Sequence, residues 1–202
     1  MATFTSSTFL GGAGRFDGNG NASWAGERDK AAAAQSFAGY EVEAELSGST
    51  YRVQRTFLPI DTSSIPADAT VTAVTLNFNA NYEGGYTTTV AHLVQTTQAT
   101  TSSRDLADFD LVAGIPGGAM TSGGSVAIAN GSPATAKTIT GNATSLGWIT
   151  KAGTTKLALV VEKDQTNTAP TGAGDSMWAT VTSPELVVTY TLPGGGFPFV
   201  LF

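Results

Sequence analysis

The sequence predicts an all-β chain, an antiparallel β-sandwich of jelly-roll type with at most one or two short helical segments. Three observations carry that expectation. Runs rich in Thr and Val, about five to ten residues long, recur between breaks of Gly, Pro, Asn or Ser, the pattern of short strands. Helical periodicity is nearly absent. No internal repeat points to a propeller or solenoid, which leaves a sandwich as the home for about nine strands at this spacing.

The best helical stretch is 26–37, GERDKAAAAQSF, where four alanines follow Glu27 and Lys30 at i,i+3 spacing. A second short turn starts at Asn142, a residue type suited to an N-cap. The clearest strand is 40–46: Tyr40, Val42, Ala44 and Leu46 share one face, and Glu41, Glu43 and Glu45 share the other. Strands follow at 51–60 and 74–80, the latter alternating Val74, Leu76, Phe78 and Ala80 with Thr and Asn. Residues 86–96 are expected to pair with 74–80 in a hairpin turned by Glu83-Gly84-Gly85. After a loop at 114–124 come strands 125–129 and 135–140. The apolar run within 156–162 marks a central strand, and strands 177–182 and 185–192 close the domain. The expected organisation is an N-terminal extension at 1–39 with a short helix, the sandwich at 40–192, and a glycine hinge with an apolar anchor at 193–202.

At 202 residues the chain is long enough for one domain that buries about 70% of its unfolded surface. Ten Lys and Arg against 16 Asp and Glu leave a net charge of −6, which argues against a nucleic-acid partner. Zero cysteines exclude disulfides, thiolate zinc sites, iron–sulfur clusters and cysteine nucleophiles. A single histidine leaves little of the usual acid–base and metal chemistry, so neither cofactor nor metal is expected. No apolar run approaches the ~20 residues that a bilayer requires, so no membrane partner is expected. The first residues also lack the basic start and apolar stretch of a secretory signal.

Three segments carry a resemblance. The first runs from Arg55 through Thr-Phe-Leu-Pro-Ile to Asp61, then Thr-Ser-Ser, Ile65-Pro66 and the alternating strand to Leu76. The second is Asn142-Ala-Thr-Ser-Leu146-Gly-Trp148, followed by Ala152-Gly153 and the strand at Leu157. The third is Ser183-Pro184-Glu185-Leu186-Val187-Val188-Thr189-Tyr190. Together they resemble the DNRLRE-type jelly-roll domain, found in bacterial surface proteins and in bacteriophage structural proteins. Without any family, the first segment already reads as architecture. Asp61 and Ser63 suit a strand end, Pro66 and Asp68 a turn, and Ile65 an anchor to the core.

No catalytic constellation emerges from the residues, and the chain is expected not to be an enzyme. His92, between Val90 and Val94, has no local nucleophile or carboxylate partner and reads as structural. Glu41, Glu43 and Glu45 read as a solvated strand face. Asp105, Asp108 and Asp110 have oxygens suited to calcium but lack the spacing of an EF-hand loop. Tyr82 and Tyr86 flank the Gly84-Gly85 turn and are candidates for contact with a glycan or a protein partner. The tail is the main oddity: Gly194-Gly195-Gly196 precede Phe197, Pro198, Phe199, Val200, Leu201 and Phe202. Burying each large apolar side chain is worth roughly 1.5–3 kcal/mol. Such a tail either folds back over its own sandwich or inserts into a partner; the glycine hinge favours the second, so Phe197, Phe199, Val200, Leu201 and Phe202 are expected to make a partner contact.

With the resemblance, these features predict a structural virion protein assembled in the host cytoplasm. It would be a bacteriophage capsid decoration or tail-associated module bound to other virion proteins. A homo-oligomer is expected, a trimer being the natural guess for such a module. The alternative is a carbohydrate-binding module that recognises host or polymer glycans through its loop aromatics.

Overall fold

The computed structural model describes residues 1–82, 87–131 and 133–193. Its frame starts from one tight hairpin, β4 (Tyr40–Ser47) and β5 (Thr50–Asp61). Ser47 pairs with Thr50 across the two-residue turn Gly48–Ser49, and Gly48 sits at φ +61°. A positive φ at the first turn position alone is the type II′ requirement, and glycine meets it without steric penalty.

Six more strands complete the sandwich: β6 (Thr70–Asn81), β7 (Thr89–Gln95), β8 (Ser125–Ile128), β9 (Thr135–Thr140), β10 (Thr154–Val161) and β11 (Met177–Thr191). Their hydrogen-bonded order is β8-β7-β10-β5-β4-β11-β6-β9, all antiparallel. The ribbon folds over at the β5–β4 hairpin, so β8-β7-β10-β5 faces β4-β11-β6-β9. The first and last of these eight strands are neighbours, as are the second and the next to last. That is jelly-roll order. β8 and β9 approach at the open side without pairing, and no barrel closes.

The main core fills the space between the sheets. Leu58, Ile60, Leu93, Leu157 and Leu159 from one sheet meet Val42, Leu76, Ile139, Leu186 and Val188 from the other. A second cluster lies on the outer face of β5, β10 and β7, where Val53, Phe57, Val94, Ala158 and Val160 pack with Phe16, Phe109, Val112 and Met120. β10 is therefore buried on both faces, which is why its sequence is a continuous apolar run rather than an alternation.

The first 39 residues are built into this frame. β1 (Ala2–Ser6) pairs with the C-terminal half of β11, while β4 pairs with its N-terminal half. β2 (Gly14–Asp17) pairs with residues 54–57 of β5 and with β3 (Gln35–Phe37).

Several expectations are corrected. The 26–37 helix is instead α1 (Trp24–Arg28), capped where the Ser23 hydroxyl accepts from Gly26 N at 3.1 Å. The alanines beyond it go elsewhere: Ala33 N donates to Leu106 O and Ala34 N to Asp17 O, both at 2.9 Å. Alanine's helical preference is worth only tenths of a kcal/mol per residue, less than these contacts and the burial of Ala33. α2 (Ala143–Leu146) forms as expected, with Asn142 Oδ1 accepting from Thr144 N and Ser145 N. α3 (Glu162–Thr166) follows β10 and brings the short α-helices among the described residues to three. β6 and β7 are not a hairpin: β6 lies between β11 and β9, β7 between β10 and β8. Their inward side chains face each other across the core, so the connection passes from one sheet to the other. Strands 177–182 and 185–192 are one strand, β11, with a bulge at 182–185 and Ser183 at φ +51°.

The second core is tied together by buried charge. Arg55 on β5 grips the Asp164 carboxylate with two bonds, Nε to Oδ2 at 2.8 Å and Nη2 to Oδ1 at 2.9 Å, with both residues fully buried. Its remaining donors reach Phe109 O and Arg28 O, and its guanidinium lies 4.3 Å from the Phe109 ring centre. Arg28, also without exposure, donates to Asp164 O, Gly118 O and Asp29 Oδ1. Removing one partner of a buried pair strands the other charge, at a cost of about 3–5 kcal/mol. Asp164→Ala is therefore expected to lower unfolding stability by that amount in urea titration; a loss under about 1 kcal/mol would contradict this account of the knot.

Candidate functional site

β5 offers one edge to two partners. Residues 50–54 pair with β4 and residues 54–57 pair with β2, so Gln54 is opposite Glu43 in one register and opposite Asp17 in the other. Here β4 leaves β5 to join the opposite sheet, and β2 wedges into the opening. The parting is bridged where the Thr56 hydroxyl donates to Glu41 O at 2.7 Å.

Three carboxylates converge on this branch point. Asp17 is 7% exposed and Glu43 5%, while Glu45 is half-buried. Asp17 Oδ1 accepts from Asn19 N at 2.7 Å, and Oδ2 accepts from the side-chain amides of Gln35 and Gln54 at 3.2 and 3.3 Å. Glu43 Oε2 and Gln54 Oε1 are buried without partners. Arg52, the cation facing the cluster, is half-exposed and stands 4.0 Å from Glu45. Burial, then the negative charges of Glu45 and Asp17, push the Glu43 carboxyl up to about 8, against a weaker pull from Arg52.

The solvated-face expectation for Glu41, Glu43 and Glu45 is thereby corrected. Glu41 is paired with Arg15 from β2, and that guanidinium lies 4.1 Å from the Phe37 ring centre on β3. The N-terminal strands cover the acidic face of β4. Strict alternation in a strand reports its two faces but not whether a distant segment covers the polar one.

The other candidates are dispersed. His92 on β7 is 9% exposed, with Nδ1 2.9 Å from Ser122 Oγ and Nε2 buried without a partner. Ser122 Oγ itself lies 3.2 Å from Gly124 O, to which it donates. Burial holds the imidazole below its ordinary value, against the opposing charge of Glu162. Asp105 Oδ1 accepts from Ala107 N and caps a single 3-10 turn, and buried Asp108 Oδ1 accepts from Ala99 N at 2.8 Å. Among the described residues no group of three His, Cys, Asp or Glu is placed to hold a metal ion.

Tyr82 is 4% exposed and belongs to the main core, so its ring is no stacking platform at a loop tip. Tyr86 and the apolar residues Phe197, Phe199, Val200, Leu201 and Phe202 lie outside the described residues. The branch-point cluster was missed in the sequence because its carboxylates come from two strands, β2 and β4, and their amide neighbours Gln35 and Gln54 from two more, β3 and β5. The signal available was three carboxylates at i,i+2 spacing beside a chain with few cations.

No protein-family model matches the chain, and no curated protein does. The jelly-roll resemblance therefore rests on the residues that carry it.

The depressed value of His92 has a signed consequence. An imidazole that protonates less readily folded than unfolded contributes fully above pH 6.5, the unfolded value, and loses that contribution as pH falls through its folded value. Relative to His92→Gln, the wild type is expected to lose stability between pH 7.5 and pH 5. Urea unfolding at the two pH values measures this, and an unchanged difference would contradict it.

Proposed function

We propose that the chain is a structural module of an assembled particle: a jelly-roll virion protein held to neighbouring subunits or other virion proteins by the apolar segment 197–202. The observation that carries this reading is an imbalance of apolar surface. The segment after the three glycines is entirely Phe, Pro, Val and Leu. Among the described residues, the body exposes only Met1, Phe37, Leu106 and Leu192 as large apolar side chains. Four side chains, of which Met1 and Leu192 share one end of the sheet, make no recess for five large ones, so the segment finds better burial on another molecule.

The geometry of the exit supports this. Ala2 pairs with Tyr190, which brings exposed Met1 and Leu192 to the same end of the sheet, where the chain continues into the glycines. A triple-glycine link carries little conformational preference and lets the segment reach away from its own sandwich. The phage setting comes from the resemblance of the Arg55, Asn142 and Ser183 segments to a domain of bacteriophage structural proteins.

Deleting residues 194–202 is expected to leave a folded domain with an unchanged melting temperature. That domain would sediment as a smaller species than the full chain and would not be incorporated into particles. Analytical ultracentrifugation and co-sedimentation with particles measure both. Assembly that survives the deletion would overturn the reading.

A further inference from the structure

We propose that a proton shared at the branch point of β2, β4 and β5 latches the N-terminal layer onto the sandwich, and that ionisation of Glu43 releases it. Asp17 takes the backbone N–H of Asn19 and both glutamine side-chain amides that reach it. That leaves Gln54 Oε1 and Glu43 Oε2 as buried acceptors on directly paired residues, with no protein N–H or O–H between them. Glu45 sets a second carboxylate beside Glu43 on the same face of β4. A protonated Glu43 turns an acceptor into a donor and removes one of three charges from a site with little water.

The surrounding charges leave no better solution. On β4 itself, Glu41 is committed to Arg15 of β2. From β5, Arg52 stands beside Glu45 and is half in solvent. β3 contributes Gln35, and β11 places Trp178 in register with Glu43. Asp175, in the 3-10 turn packed against β4, is paired with Lys163 of α3.

Location makes this proton mechanically relevant. Gln54 is the residue at which β5 exchanges β4 for β2, and its amide is a link from β5 to Asp17. Ionising Glu43 sets a third carboxylate against Asp17 and Glu45 at the point where β2 enters. The least costly relief is for β2 to move away, and β3 goes with it, because its ladder partner is β2. The latch therefore closes in acid and opens in base.

The sign follows from linkage. An unfolded glutamate ionises near 4.5, whereas the folded one holds its proton to about 8. The stabilisation is complete below the unfolded value, declines as pH rises, and is gone above the folded one. Within that window the folding equilibrium constant falls by up to tenfold per pH unit. The interval from 7.5 to 9 lies above the titration of His92.

The test compares the full-length chain with Glu43→Gln, which keeps the shape and supplies a permanent N–H donor. The expected result is that wild-type stability falls from pH 7.5 to 9 while the variant stays flat. Amide exchange, corrected for intrinsic rates, should lose protection first at 15–17 and 35–37 in the wild type and not in the variant. Carbon-13 titration of the wild-type Glu43 carboxyl gives a readout independent of the variant's folding, with a midpoint far above that of an exposed glutamate. Equal slopes in the two proteins, an ordinary Glu43 midpoint, or simultaneous loss of protection throughout β10 would overturn the proposal. So would calcium restoring wild-type stability at pH 9 but not that of the variant, because the latch would then be a cation rather than a proton.

Discussion

Two guanidinium groups with no access to water set the terms for the outer layer of this protein. Arg55 and Arg28 must have their charge and their donors satisfied inside, and the groups that do so come from places far apart in sequence: Asp164, Phe109, Gly118 and Asp29. The covering layer over β5, β10 and β7 is mostly loop and short helix, without a ladder to hold it in register. The knot does that work instead. Each carbonyl that accepts from an arginine is held at one place, and the ring of Phe109 is set against a guanidinium rather than left to slide. A buried ion pair is not in general a large source of stability, but it penalises alternative arrangements of the layer heavily.

The strand layer that β1, β2 and β3 add is held differently. Its strands extend ladders that the sandwich leaves open, β1 along β11 and β2 along β5. Backbone pairing is generic, so the specificity falls to side chains at the seam: Arg15 with Glu41, and Asp17 with Gln35 and Gln54. The arginine knot is balanced by nearby carboxylates, whereas the seam is acceptor-rich. That difference separates a permanent tie from one that a proton can govern.

These two layers also bear on how the molecule would serve an assembly. The jelly roll spends its large apolar side chains inside two cores, and the exposed ones are few among the described residues. The apolar segment that follows the glycines is therefore out of character with the body it leaves. Under the proposed reading, a block whose large apolar side chains are inside would be joined to its neighbours by that segment.

Much of the architecture was legible from the residues. The Tyr40 strand, the buried Leu157 run, the Asn142 cap, the Asp61–Ser63 turn and the closing segment all follow from local chemistry. Ser63 N indeed donates to Asp61 Oδ1 at 2.9 Å. These are short-range effects: alternation, capping and turn geometry act over a few residues and leave their mark in the order of the chain. What the tertiary structure alone decided was pairing and coverage. Four alanines became loop as distant carbonyls took the amides of Ala33 and Ala34, and 74–80 and 86–96 were parted because their apolar faces meet across the core. Likewise, three glutamates that alternate like a wet surface were covered by β2 and β3. Desolvation depends on what arrives from elsewhere in the chain. The same residues that announce a strand therefore cannot announce that one of its carboxyls will keep a proton.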